Sequence, residues 1–147
     1  MSHQQPKNIF TRGAIPASFI AERIQKHSGQ TTIGAHSLFL GQVRRDVIDN
    51  KSIAAIDYTA HEEMALAQMH IITEAIFAKY SLTCMHVHHS LGSVSAGELC
   101  LLVFTSAPHR KAAISACEEI VERIKKELPI WGKEVFEDET YQWKVNQ

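Results

Sequence analysis

The segment Pro108–Glu134, PHRKAAISACEEIVERIKKELPIWGKE, repeats its apolar residues with the period of a helix. Ala113, Ala116, Cys117, Ile120, Val121 and Ile124 recur at three- and four-residue spacing and so form one helical face. Pro129-Ile130-Trp131 follows as a rigid elbow. Arg110 and Lys111 fall in the first turn, where the helix dipole disfavours cations by roughly a few tenths of a kcal/mol. Cations set against the dipole, beside free backbone N–H groups, suggest a bound anion. The residues alone equally allow two solvated surface charges. At the other end, Lys125 and Lys126 complement the dipole, but they are not equivalent. Lys125, four residues after Val121, lies on the flank of the apolar stripe and can lean into a pocket, whereas Lys126 faces water. A partly desolvated amine has a lowered pKa and serves as a nucleophile or proton carrier.

Outward from this helix, Pro16–His27 reads as a first helix closed by Ser28-Gly29, and His61–Tyr80 as a long second one. Strand character runs over Ile33–Val43, Ile53–Thr59, Thr83–His89 and Glu98–Thr105, with a turn holding Gly92 and Gly97 between the last two. Arg45–Lys51 reads as a polar loop, and Lys133–Val145 as a short strand or hairpin. The order β-α-β-β-α-β predicts an α+β fold: a single domain over residues 1–147 with an antiparallel sheet and two to three main helices.

Composition narrows the function. The 147 residues are 45% hydrophobic and 21% charged, with net charge −1, which argues against a general nucleic-acid binder. No stretch approaches the roughly 20 apolar residues of a membrane span. The first residues lack a signal-peptide core, and residues 1–7 read as a flexible lead. Cys84, Cys100 and Cys117 have no metal or disulfide spacing and read as small core hydrophobes, which suits a reducing cytoplasm. His86 and His88 share one strand face and His89 takes the other; two ligands at most do not make a metal site, and none is assigned.

Several motifs, in order over about residues 34–143, resemble the MoaE family, the large subunits of molybdopterin synthase. They are Gly34-Ala35-x-x-x-Phe39-x-Gly41-x-Val43-Arg44, the segment ending Glu63-Met64-Ala65, Gly92-x-Val94-x-x-Gly97-Glu98, His109-Arg110, and Lys125 followed by Pro129-x-Trp131. The resemblance implies an α/β hammerhead fold and a sulfurtransferase that converts cyclic pyranopterin monophosphate to molybdopterin, in molybdenum cofactor biosynthesis. It implies a small ubiquitin-like partner whose C-terminal Gly-Gly thiocarboxylate carries the sulfur, and a homodimer within a heterotetramer. No metal or redox cofactor is implied.

Carried onto this chain, the resemblance makes Lys125 catalytic and gives Gln42, Val43, Arg44, His109, Arg110, Gly132 and Glu134 to the substrate. A bidentate guanidinium such as Arg44 suits phosphate, and Gly41 would let the backbone of Gln42 and Val43 come close to it. His109 and Lys125 are sixteen residues apart, roughly 24 Å on a straight helix, too far for one small substrate to bridge. If both serve one site, as the resemblance implies, they come from two copies of the chain.

The chain departs from the family in three places. Gly132 stands where a second functional lysine is usual, and a flexible glycine there could let Lys133 swing into the vacant place as a second catalytic amine. His89-Ser90-Leu91-Gly92 lacks the basic group of His-Arg-x-Gly, and His61 replaces a tyrosine. These departures keep two other readings open: a non-catalytic homologue binding a phosphorylated pterin, a nucleotide or a partner's tail, and a phosphate-sensing module.

Overall fold

A computed structural model describes residues 7–146. The flexible lead expected over residues 1–7 lies, Lys7 apart, outside the described residues. Strands β1 (Phe10–Arg12), β2 (Ala35–Gln42), β3 (Val47–Ile48), β4 (Lys51–Ala60), β5 (Cys84–Ser95), β6 (Leu99–Ala107), β7 (Ile130–Phe136) and β8 (Tyr141–Trp143) alternate with helices α1 (Ser18–His27), α2 (Glu62–Lys79) and α3 (Arg110–Glu127). The sheet runs β2-β6-β5-β4-β7-β8, antiparallel along this path; β1 joins β5 in parallel and β3 pairs with β4. This is the α+β class that the sequence predicts. No helix among the described residues is long and apolar enough to cross a membrane.

The six stripe residues of α3 are all buried, as their spacing requires. With Met69, Ile72 and Ile76 of α2, five of them (all but Ala113) cover one face of the sheet, against Val87, Leu101 and Val103. The other face of β6, Leu102 and Phe104, packs against Phe19 and Ile20 of α1. Strand β6 is therefore apolar on both faces, and its residues 100–107 are buried without alternation. Burying a side chain such as Phe104 or Leu101 contributes about 1.5–3 kcal/mol.

Several elements extend beyond the sequence expectation. Strand β5 does not stop at His89 but runs to Ser95, because it changes partners: Cys84–His89 pair with β6 and Gly92–Ser95 with β4. Gly92, at φ +84°, is the kink between the two registers. The expected loop Arg45–Lys51 contains the β3–β4 hairpin, turned by Asp49 and Asn50 at positive φ. The Pro129-Ile130-Trp131 elbow is a junction of Leu128 and Pro129, with strand β7 beginning at Ile130. His61 caps α2, its Nδ1 accepting the Met64 N–H at 3.2 Å, which gives this substitution a helix-capping role. Cys100 and Cys117 are core residues as expected, but Cys84 is only half-buried.

Candidate active site

The C-terminal end of α3 meets β7 and the β8 tail around two adjoining hollows. A cleft of about 510 Å³ is lined by Arg44, Lys125, Glu134, Gln142, Lys144 and Asn146, among others. A narrower cavity of about 100 Å³ shares Lys125, Lys144 and Asn146 and reaches inward to Tyr58, His89, Cys100, Trp131 and Gly132. The tail is tied over the helix end by Asn146, whose Nδ2 donates to the Lys125 carbonyl at 3.1 Å, and by the Lys144 N–H, which donates to the Gly132 carbonyl at 2.8 Å.

Lys125 behaves as its place on the stripe's flank predicts. Its pKa is lowered, first by burial of the amine and then by the positive charge of Lys144; Cys100 and Glu122 act the other way. The residue as a whole stays exposed, so the burial acts at the end of the side chain that lines the cavity. Behind it, Tyr58 is held well above the usual phenol range, first by burial and then by Cys100 and Glu134, and stays a neutral hydroxyl. Burial likewise pushes the His89 imidazole down to about 4, with Lys125 adding to the effect. Its Nδ1–H donates to the Ser90 carbonyl at 2.8 Å, and its ring lies edge-on to Tyr58 at 5.2 Å. The cavity floor is therefore neutral, and the positive charge is concentrated at its mouth.

Arg44 stands on the rim, paired with Asp46 at 3.2 Å and largely solvated, free to turn toward an anion. Glu134 faces the cleft and accepts from Gln142 Nε2 at 2.8 Å. Gln42 is exposed at the end of β2. Val43 does not play the expected backbone role. It is 2% exposed, its N–H donates to the Glu98 carbonyl, and its carbonyl accepts from Gly97. Gly41 approaches neighbouring protein rather than a ligand: a Cβ there would meet Leu101 Cβ at 3.2 Å.

The expected swing of Lys133 is not found. Gly132 lies in strand β7, opposite Tyr58, and has no positive φ. Alternation along the strand puts Gly132 and Glu134 on the cavity face and Lys133 on the other. There the Lys133 amine lies 4.5 Å from the Tyr141 ring centroid and 5.8 Å from that of Trp143. The amine that does reach the cavity is that of Lys144, paired across the hairpin from Gly132. Sequence reasoning missed it because only the β7–β8 register, set by a turn of ordinary polar residues, brings it there.

His109 and Arg110 are at the far end of α3, exposed, around a shallow hollow of about 490 Å³ with Lys111, Ile114 and Ser115. His109 is the N-cap residue and makes no side-chain capping bond. Within one chain the structure joins Arg44, Lys125, Glu134 and Gly132, and leaves His109 and Arg110 apart. Gly34 fixes the base of this end: a Cβ there would collide with the Pro108 carbonyl oxygen.

A family model described as MoaE protein matches residues 15–127. The chain is 38% identical over 121 residues to a molybdopterin synthase catalytic subunit of Drosophila willistoni, with 81% of this chain and 32% of that protein covered. It thus spans about a third of the length of that relative. A crystal structure of molybdopterin synthase from Staphylococcus aureus superposes with TM-score 0.82 at 28% identity, covering 99% of this chain and 100% of that one. A chain in a complex of subunits 1 and 2 of the molybdopterin-converting factor from Helicobacter pylori shares the fold, with TM-score 0.78 at 21% identity and coverage of 94% and 90%.

Proposed function

The chain belongs to the MoaE protein family, and we propose that it is the catalytic subunit of a molybdopterin synthase, moving sulfur from a small ubiquitin-like carrier to cyclic pyranopterin monophosphate. The observation that carries this reading is the meeting of two amines, Lys125 and Lys144, with Arg44 and Glu134 around the joined hollows. The larger hollow is within the size range of small-molecule sites, about 300–1,000 Å³. The narrow one suits an extended Gly-Gly tail, which brings no side chains past Trp131 and Ile130.

In this arrangement Arg44 takes the substrate phosphate and Glu134 and Gln42 orient the pterin. Lys125, its pKa lowered, moves a proton or stabilises charge on the acyl group of the carrier's thiocarboxylate. Lys144 holds a second positive charge beside it and keeps the Lys125 proton labile. His109 and Arg110 come from the second copy of a homodimer and complete each site, and two carriers make the assembly a heterotetramer working in the cytoplasm. Sulfur arrives on the carrier, so the buried Cys100 need not be a nucleophile.

The test is single-turnover conversion of the cyclic precursor by this chain with thiocarboxylated carrier. Formation of the dithiolene product, lost in Lys125→Ala, supports the reading; no product with a carrier shown to bind overturns it. Ser90, buried with no partner for its Oγ where a basic residue is usual, favours the second reading, a homologue that binds pterin phosphate or a carrier tail without turnover. That reading predicts binding of both ligands and no product.

A further inference from the structure

On the α1 side of the sheet, away from the amines, His27, Cys84 and His86 converge, and the sulfur-transfer reading has no use for them. Their ligating atoms all lie within 4.8 Å of one another. His27 ends α1 and is 6% exposed. Its Nδ1 is 2.7 Å from the Arg23 carbonyl, to which it can only donate. That bond fixes the tautomer and leaves the Nε2 lone pair free, aimed at His86 Nε2 at 3.4 Å. A donated backbone bond of this kind is how metal-binding histidines are oriented.

The spacing is informative. Two nitrogens bound at about 2.0–2.1 Å to a tetrahedral ion stand roughly 3.3–3.4 Å apart. Cys84 is half-buried on the same strand face as His86, two residues before it, and among the described residues has the Gln30 amide oxygen, 3.8 Å away, as a weak partner. Both strand residues open onto a groove of about 380 Å³ that offers room for a fourth ligand.

We propose that His27 Nε2, His86 Nε2 and Cys84 Sγ bind one divalent ion of the zinc class, with the fourth position open to the groove. Two imidazoles and a thiolate are borderline-soft donors and select zinc or cobalt over magnesium or calcium. Binding displaces the thiol proton to solvent and forms the metal–sulfur bond, with no change of oxidation state. Arg23 and Lys7 are close enough to His86 to oppose a cation, and the thiolate offsets one of the two charges that the ion brings. The ion would tie the end of α1 to β5, outside the proposed active site, so this proposal stands or falls independently of the sulfur chemistry.

The test uses the full-length protein, stripped with chelator and titrated with Co²⁺. One equivalent should bind with the visible bands of tetrahedral Co²⁺ and a thiolate-to-metal charge-transfer band, and Zn²⁺ should bleach both. Cys84→Ser should abolish the charge-transfer band, His86→Gln should weaken Co²⁺ binding at least tenfold, and Cys100→Ser should change neither. Alkylation of the wild-type protein provides a check that needs no variant: saturating Zn²⁺ should slow iodoacetamide labelling of Cys84 at least tenfold. Absence of the charge-transfer band, its survival in Cys84→Ser, or labelling of Cys84 unaffected by Zn²⁺ would each overturn the site.

Discussion

Lys144 lies against the place where a side chain at Gly132 would extend: its Cδ is in van der Waals contact, 3.5 Å from where a Cβ on Gly132 would stand. The two residues face each other across the β7–β8 hairpin, joined by the bond from the Lys144 N–H to the Gly132 carbonyl. A lysine at 132, usual in the family this chain resembles, and a lysine at 144 would therefore compete for one place beside Lys125. The glycine and the tail lysine read as one exchange.

That exchange makes the first prediction. Lys144→Ala should slow sulfur transfer by one to three orders of magnitude, a loss of about 1.4–4 kcal/mol in transition-state stabilisation. Lys133→Ala, whose amine sits over Tyr141 and Trp143 on the other face, should change the rate less than threefold. Gly132→Lys should recover part of the rate in the Lys144→Ala background, where the Lys144 stem no longer lies beside it. It should cost stability in either background, because a Cβ there meets Ile56 Cγ2 at 3.0 Å and Tyr58 Cε1 at 3.2 Å, and more in the wild type, where Lys144 Cδ is also in contact at 3.5 Å. A larger loss from Lys133→Ala than from Lys144→Ala would reverse the assignment.

Lys125 and Lys126 are neighbours in sequence with different surroundings, and only Lys125 lines both hollows. Lys125→Ala should abolish single-turnover sulfur transfer while leaving the thermal midpoint within a few degrees of wild type. Lys126→Ala should leave both unchanged. Its lowered pKa also places Lys125 closer to neutrality than an ordinary amine, so the rate should depend on pH below the usual lysine range. Equal activity losses in the two variants would refute the distinction between the faces.

The composite site predicts complementation. A mixed dimer of His109→Ala/Arg110→Ala with Lys125→Ala should regain about half the wild-type activity from two nearly inactive parents, because roughly 24 Å of helix separates the groups within one chain. One of its two sites then holds every group and the other lacks them all. A mixed dimer verified by mass that shows no recovery would mean that His109 and Arg110 serve some other purpose.

Periodicity made the α3 stripe legible in the sequence, because burial of a face imposes a repeat on neighbouring residues, while breakers such as Pro16 and Ser28-Gly29 marked the first helix and the order of elements gave the α+β class. What it could not show depends on register between distant strands. The move of β5 from β6 to β4 at Gly92, the spent backbone of Val43 and the arrival of Lys144 all depend on which residues pair. The resemblance supplied roles for Arg44 and Lys125, which the structure joins, and it pointed to a lysine at the elbow. Spacing along one strand alone could not anticipate His27 beside His86, which needs the end of α1 to dock on β5.

Acid should destabilise this fold through its buried imidazoles, and His89 isolates the effect. Burial is the main cause that pushes it to about 4, with Lys125 adding a like charge and the bond to the Ser90 carbonyl opposing the shift. In the unfolded chain it returns to roughly 6.5. The unfolded state thus binds the proton more readily, so the stability due to neutral His89 is complete above about pH 6.5 and is lost as pH falls toward 4. Between pH 7 and 4.5 the loss amounts to about 2–3 kcal/mol. His86 and His88, also shifted down by burial, act in the same direction. Denaturant unfolding at the two pH values should show that His89→Phe, which cannot take up a proton and keeps a ring against Tyr58, loses less stability than wild type on acidification by about that amount. Other groups titrate alike in both proteins and cancel in the difference. Equal acid sensitivity of the two proteins would mean that His89 accepts a proton without unfolding, and that the cavity floor beneath Lys125 is wetter than its packing against Tyr58 indicates.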